Sequence, residues 1–478
     1  MLFNSFIYLI FLLVLVPLFY LTPVRMRNYL LLAASYLFYS YWDVRFCLLL
    51  LGSSLLAYFT GIRIEDSKDP VTRKRWMYFG IGISLTMLGF FKYFNFFVDS
   101  FDSMVSLWGG SLDFLHMRII LPVGISFFTF QNYSYIMDVY RGSFKAARNP
   151  LESVFYNSFF PLLMAGPIER AANLMPQIRK GLSPTRDQMR EGVHLIVIGL
   201  FQKVIIGDAS GRIVDNIFGY MEHYGSLELI MGLLLFTVHI YTDFAGYSNI
   251  ARGSAKLVGV DLSVNFRQPY LARSVNEYWN RWHISLSSWL KDYIYIPLGG
   301  NRKGKVRTYI NLFLTMLFAG LWHGAAWTFV LYGALHGIYL SVGRYLMDRS
   351  GKKPSRSYSY AGPKSFLLFL GTVTGTYILV AASRLLFRAD DFTQVGIFLD
   401  RMAHWVPSDM GARLTTITLS FTLMMFFIDI IQYYTKRDDF TLLIRPIPVR
   451  WGVVSAMMLI SLIYMFVEEP LPFVYFQF

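Results

Sequence analysis

The sequence predicts an all-α polytopic membrane protein: about 11–13 transmembrane helices around a central cavity, with re-entrant helices. Three observations lead there. Hydrophobic residues make up 55% of the 478 and aromatic residues 18%, with a mean hydropathy of +0.43, a level that soluble domains rarely sustain over such a length. Apolar runs of about 20 residues recur along the chain, the length a helix needs to cross the hydrocarbon core. Two further apolar stretches are broken by proline or by charge. Irregular backbone at membrane depth is tolerated only beside protein or a water-filled cavity. No polar stretch is long enough to bury a core of its own, so residues 1–478 read as one integral-membrane domain.

Twelve spans are expected, at 3–22, 28–42, 44–62, 78–98, 119–137, 191–207, 227–247, 308–324, 326–346, 365–387, 412–434 and 451–467. The start, MLFNSFIYLIFLLVLVPLFYL, has neither a basic leader nor a small-residue cleavage site, and reads as a retained first helix. Phe155 to Gly166 is too short to span and contains Pro161. Trp279 to Leu298 is apolar on one face but carries Lys291 and Asp292. Both read as re-entrant or interfacial helices. No internal repeat is visible.

The formal net charge is +14. Most of the basic residues fall in short loops between the runs, among them Arg63 to Arg75, Arg302 to Arg307, and Arg344 to Lys364 with Lys352, Lys353 and Arg356 inside it. All of these loops share one side if the N-terminus is outside, which makes the basic face cytoplasmic by the positive-inside rule. Such a face suits anionic lipid headgroups and an anionic donor, and argues against nucleic acid as the partner. Cys47 is the only cysteine. It excludes an intrachain disulfide and a thiolate metal cluster, and its apolar setting reads as packing.

The segment from Arg273 to Gly324 departs from ordinary membrane packing. It holds two histidines, His283 and His323, four of the ten tryptophans and a basic Gly-rich hairpin. An apolar run with no ionisable group then ends on Trp322-His323-Gly324. Polar groups at membrane depth are costly and usually serve a function. His323 suits a general base, since imidazole takes and returns a proton near neutral pH. The bland reading is a single hydrogen bond to a helix carbonyl. Gly320 and Gly324 beside it suit a kink or the close approach of a ligand.

His283 reads either as a group that polarises a carbonyl, orients His323 or holds substrate, or as part of an interfacial aromatic belt with Trp279, Trp282 and Trp289. Asp243, late in an apolar span with Tyr247 one turn on, needs a partner such as Arg252 or Arg281; an ion pair and a pocket wall are both open. Glu169 and Arg170 read as a helix start after Pro167. His194, His239 and His336 read as packing histidines, and Gln131, Asn132 and Ser134 as helix–helix hydrogen-bonding groups. No HExxH, Walker A or GxSxG string occurs, and no His/acid cluster has metal-ligand spacing.

The strings YWNRWHISLSSWLKDYIYIPLGGNRKG, NLFLTMLFAGLWHG, YTDFAGYSNIARG and LPVGISFFTFQNYSYIMDVYRG are similar to those of the membrane-bound O-acyltransferases, in the branch that acetylates bacterial polysaccharides, alginate among them. The resemblance covers most of the chain. It implies catalysis by His323 with help from His283, and a substrate pocket of Trp322, Asp243, Tyr247, Arg252, Asn280, Arg281, Lys291 and Asp292. It also implies an acyl thioester donor, such as acetyl-CoA or an acyl-carrier protein, with no bound cofactor or metal. A polysaccharide acceptor and a periplasmic or extracellular partner acetyltransferase follow, since the outward loops are too short to form a sugar-binding domain. GPIERAANLMPQI departs from the form of the alginate branch, so the acceptor stays open. The His323 imidazole should then be sheltered from lipid yet open to reagents from both faces of the bilayer. A transporter or lipid flippase with a polar path, and a silent scaffold, are the rival classes.

Overall fold

A computed structural model describes residues 1–164, 166–351, 363–407 and 409–476. Lys352, Lys353 and Arg356 of the basic loops lie outside the described residues. Among the described residues the secondary structure is helical throughout. Each of the twelve expected spans coincides with a helix, and seven helical runs are long and apolar enough to cross a membrane. Several outrun the expected limits. The helix Ser226–Leu257 has 32 residues where about 21 were expected. Beyond 247 it continues through Ser248, Asn249, Arg252 and Ser254, polar residues that are buried in protein.

The two irregular stretches are built as short helices. Pro150–Ser158 and Phe160–Leu163 meet at Phe159, and Val275–Trp279 is followed by Ile284–Leu290 and a π-helical turn, Lys291–Tyr295. Of two amphipathic helices, Ala171–Lys180 begins at the helix start expected around Glu169 and Arg170, and Phe392–Ala403 had no expectation. Their apolar faces are too short to register as spans.

Contacts group the chain into two compact units. One comprises residues 1–196 and 248–263, the other 197–247 and 264–478. The first is held partly by polar side chains inside it. Asn132 donates to Ser53 Oγ at 2.6 Å and accepts from Asn157 at 2.7 Å, as expected of a helix–helix bridge, and Tyr8 Oη meets Ser254 Oγ at 2.6 Å. Arg252 belongs to this unit, with Asn249 Oδ1 at 3.2 Å. Glu169 is buried, accepting from Asn173 at 2.7 Å and from the Ser263 backbone amide, a structural role.

The second unit carries both histidines of the Arg273–Gly324 segment. Its helices Lys305–His323 and Trp327–Ser350 form a tight hairpin. Gly320 and Gly333 make that closeness affordable. A Cβ on Gly320 would overlap the Phe329 carbonyl oxygen and lie 2.7 Å from Gly333 Cα. The close approach expected at Gly320 is therefore made by the neighbouring helix, not by a ligand. At Gly324 the neighbour is the Phe329 ring.

Candidate active site

His323 is the last residue of the helix Lys305–His323, and 2% of it is exposed. Its ring lies among Trp322 (centroids 5.1 Å apart), Phe387 (5.2 Å), Tyr475 (5.4 Å) and Tyr332 (5.9 Å). The shelter from lipid that the sequence required is present. The opening to both faces is not visible in this conformation, in which aromatic rings close around the imidazole.

His283 is fully buried and caps the short helix Ile284–Leu290 with φ of 42°. A non-glycine residue in the left-handed region costs about 1–2 kcal/mol and persists only where its surroundings enforce it. Here Ile284 N–H donates to the Asn265 carbonyl at 2.9 Å and Ser285 Oγ to Asn265 Oδ1 at 2.6 Å. Nothing in the sequence signalled this strain. Both His283 nitrogens lack a hydrogen-bond partner among the described residues. Its neighbours are rings: Phe244 at 4.7 Å, Trp322 at 5.8 Å and Tyr475 at 6.5 Å. His283 does not orient His323 through a hydrogen bond; Trp322 and Tyr475 each touch both imidazoles. The belt reading fails for the same stretch, since Trp279, Trp282 and Trp289 are all buried in protein.

Two neighbours of this pocket were missed. Tyr475, from the C-terminal segment, brings a buried hydroxyl with no partner among the described residues. Arg384 is a fully buried cation that stacks over Trp282 at 4.5 Å and donates to Tyr278 Oη (2.5 Å) and Tyr332 Oη (3.1 Å). An arginine in an apolar run, VAASRLLF, was the available signal for Arg384. For Tyr475 composition and spacing offered none.

The other expected pocket residues separate into groups. Tyr247 is buried and stacks on Phe473 at 4.9 Å. Asp243 pairs with Lys203, not with Arg252 or Arg281, because Gly246 lets the two helix backbones approach there; a Cβ at that position would lie 2.6 Å from Lys203 N. Arg281 pairs with Glu277 at 2.7 Å. Asn280 and Lys291 are exposed and line a half-open cavity of about 950 Å³ together with Trp279, Thr315 and Met316. The charged residues lining it are Arg273, Lys291 and Arg344, of which Arg273 pairs with Glu277 at 3.0 Å and Arg344 with Asp348 at 3.1 Å. Arg281 and half-buried Asp292 are not among its lining residues.

The cavity and His323 share one helix face. Thr308, Leu312, Thr315 and Met316 line the cavity, and the 3–4 spacing continues through buried Ala319 to His323. From Met316 to His323 is about 10 Å of helix. Of the packing histidines, His336 accepts from Trp279 Nε1 at 3.2 Å and meets Ser383 Oγ at 2.9 Å, and His239 Nδ1 meets the Gly207 carbonyl at 2.8 Å. Among the described residues no group of three His, Cys, Asp or Glu side chains could hold a metal ion.

Seven helical runs long and apolar enough to cross a membrane, with a histidine enclosed among rings on the helix face that lines the cavity, define a multi-pass integral membrane protein. The family model described as MBOAT, membrane-bound O-acyltransferase family, matches residues 147–381. A probable alginate O-acetylase of Pseudomonas putida is 36% identical, over 89% of this chain and 87% of its own. A peptidoglycan O-acetyltransferase of Helicobacter pylori is 35% identical over 70% of this chain and 66% of its own. A teichoic acid D-alanyltransferase of Bacillus subtilis is 28% identical over 47% and 59%. The chain belongs to the membrane-bound O-acyltransferase family, and it is an O-acyltransferase.

Proposed function

We propose that this protein moves an acetyl group from a cytoplasmic thioester to a hydroxyl at or beyond the outer face of a bacterial inner membrane, for O-acetylation of an exported or cell-surface polysaccharide. The observation that carries this is His323, enclosed in protein at the end of the helix face that lines a cation-lined cavity. A neutral imidazole there takes the proton of the acceptor hydroxyl. The oxygen attacks the thioester carbonyl carbon, the C–O bond forms and the C–S bond breaks. The thiolate leaves with the proton returned by the imidazolium. His283, held neutral by burial and without a partner of its own, turns an N–H toward the carbonyl oxygen. Trp322 and Tyr475 close the pocket between them.

The donor is a thioester such as acetyl-CoA or an acyl-carrier protein. It docks at the cavity, where Arg273, Lys291 and Arg344 meet its phosphates and Asn280 contributes a neutral polar contact. The relatives named for alginate and peptidoglycan support a polysaccharide acceptor. A periplasmic or extracellular acetyltransferase completes delivery, and membrane lipids surround the spans.

Proteoliposomes given labelled acetyl-CoA test this reading. Covalent label on an acceptor hydroxyl is the expected result. Movement of an unmodified solute, without acylation, would favour the transporter class. Lys291→Glu places a carboxylate among the cavity's cations. It should raise the KM for acetyl-CoA about tenfold with kcat unchanged, the pattern of lost electrostatic attraction away from the reacting atoms. An unchanged KM would remove the cavity from the donor's path.

A further inference from the structure

The second unit contains a charged cluster in which the number of charges exceeds what pairing needs. Lys203 and Asp243 are fully buried and Asp208 nearly so. Lys203 Nζ reaches Asp208 Oδ1 at 2.5 Å and also contacts Asp243 Oδ1. Lys203 and Asp208 lie on the π-helical stretch Phe201–Asp208, whose wider turn places residues five apart beside each other. That pair alone is neutral. Asp243 adds a second buried carboxylate, which is costly unless something further depends on it.

What depends on it is the segment that follows the helix Ile447–Val467. Asp243 Oδ2 accepts the Val474 N–H at 3.0 Å, and Lys203 Nζ donates to the Leu471 carbonyl at 3.2 Å. Arg212 donates to the Glu469 carbonyl one step earlier. Between these ties Phe473 is fully buried against Phe244 (5.0 Å) and Tyr247 (4.9 Å). Tyr475 follows at once, its ring 5.4 Å from His323 and 6.5 Å from His283. A short irregular segment thus supplies one wall of the histidine pocket, and the buried charges grip its backbone.

We infer that Asp243 and Lys203 form a clasp that holds the segment Leu471–Tyr475 across the pocket, so that Asp243 is a positioning residue acting through Tyr475 and not a contact to substrate. The inference rests on the acyl-transfer reading for its kinetic consequence only; the clasp itself is read by hydrogen exchange. The test uses the full chain in lipid nanodiscs. Asp243→Ala keeps the neutral Lys203–Asp208 pair and leaves the Val474 N–H without its acceptor. Amide exchange over 471–476 should then speed up about tenfold while the helix Ile447–Val467 keeps its protection. Turnover should fall about 10–100-fold, with the KM for acetyl-CoA within about twofold of wild type, because the wall moves and the donor cavity does not.

Asp243→Asn retains an acceptor for the Val474 N–H and should recover most of the protection. Val474→Pro removes the donor without altering a buried charge, and carries the test if Asp243→Ala does not fold. It should match Asp243→Ala in exchange and in turnover. Two results overturn the clasp. One is wild-type exchange over 471–476 in both Asp243→Ala and Val474→Pro. The other is turnover lost in Asp243→Ala while the segment stays protected, which would put Asp243 on the substrate. If wild-type protein shows no acyl transfer, the functional reading falls and the exchange result still decides the clasp.

Discussion

His323→Ala is expected to abolish transfer of acetyl to acceptor while the protein still inserts and elutes as a single species from detergent. A general base contributes about 10²–10⁴-fold, so turnover in this variant should fall by at least about 10³-fold if the same ring also returns the proton to the leaving thiolate. The structural cost is smaller. Removing the ring opens a cavity lined by Trp322, Tyr332, Phe387 and Tyr475, a loss of about 2–3 kcal/mol. The melting temperature should therefore drop modestly and the activity almost entirely. His283→Ala should lose less, about 10²-fold, the usual cost of one donor to a developing oxyanion. Its stability should fall by about 2–3 kcal/mol, because removing a fully buried ring leaves a cavity and alanine is no easier than histidine to hold in a left-handed backbone. Wild-type turnover in His323→Ala would end the base assignment. Full turnover in both variants would favour the scaffold.

The spans were legible because the hydrocarbon core imposes one length and one polarity on every crossing helix. His323 and His283 stood out as ionisable groups in an apolar setting, while their proposed roles came from the family resemblance, and both lie in the same unit of the structure. The partners were not legible. Asp243 takes Lys203, forty residues upstream in a neighbouring helix, because Gly246 allows the approach; arginines nearer in sequence or pattern are engaged elsewhere. Tyr475 was invisible for a similar reason. Its place beside the histidines is set by backbone hydrogen bonds to buried charges, which leave no periodicity and no motif. The left-handed backbone at His283 is likewise fixed from outside its own helix, by Asn265 in the preceding loop. Of the rings enclosing His323, Phe387 and Tyr475 are long-range partners, which a run that looks uniformly apolar does not announce.

Gly320→Val should be as damaging to activity as the loss of a catalytic group, although the residue touches no reacting atom. The atoms nearest to a Cβ there are backbone, Gly333 Cα at 2.7 Å and Gly333 N at 2.8 Å, besides the Phe329 carbonyl oxygen. No side chain can swing away, so the helices Lys305–His323 and Trp327–Ser350 must separate. Overpacking usually costs about 1–3 kcal/mol, and a clash with backbone belongs at the upper end of that range. His323 lies three residues beyond, less than one turn, and its ring is held by Tyr332 on the other helix. A displacement of about 1 Å in a catalytic group can cost about 10²-fold in rate. Gly371→Ala provides the contrast. A Cβ at that position meets nothing within 4 Å, so stability should stay within about 0.5 kcal/mol of wild type. The pair should be compared by thermal unfolding in detergent and by acetyl transfer. If Gly320→Val unfolds and turns over as Gly371→Ala does, the hairpin does not fix the histidine, and the rings around it must do so alone.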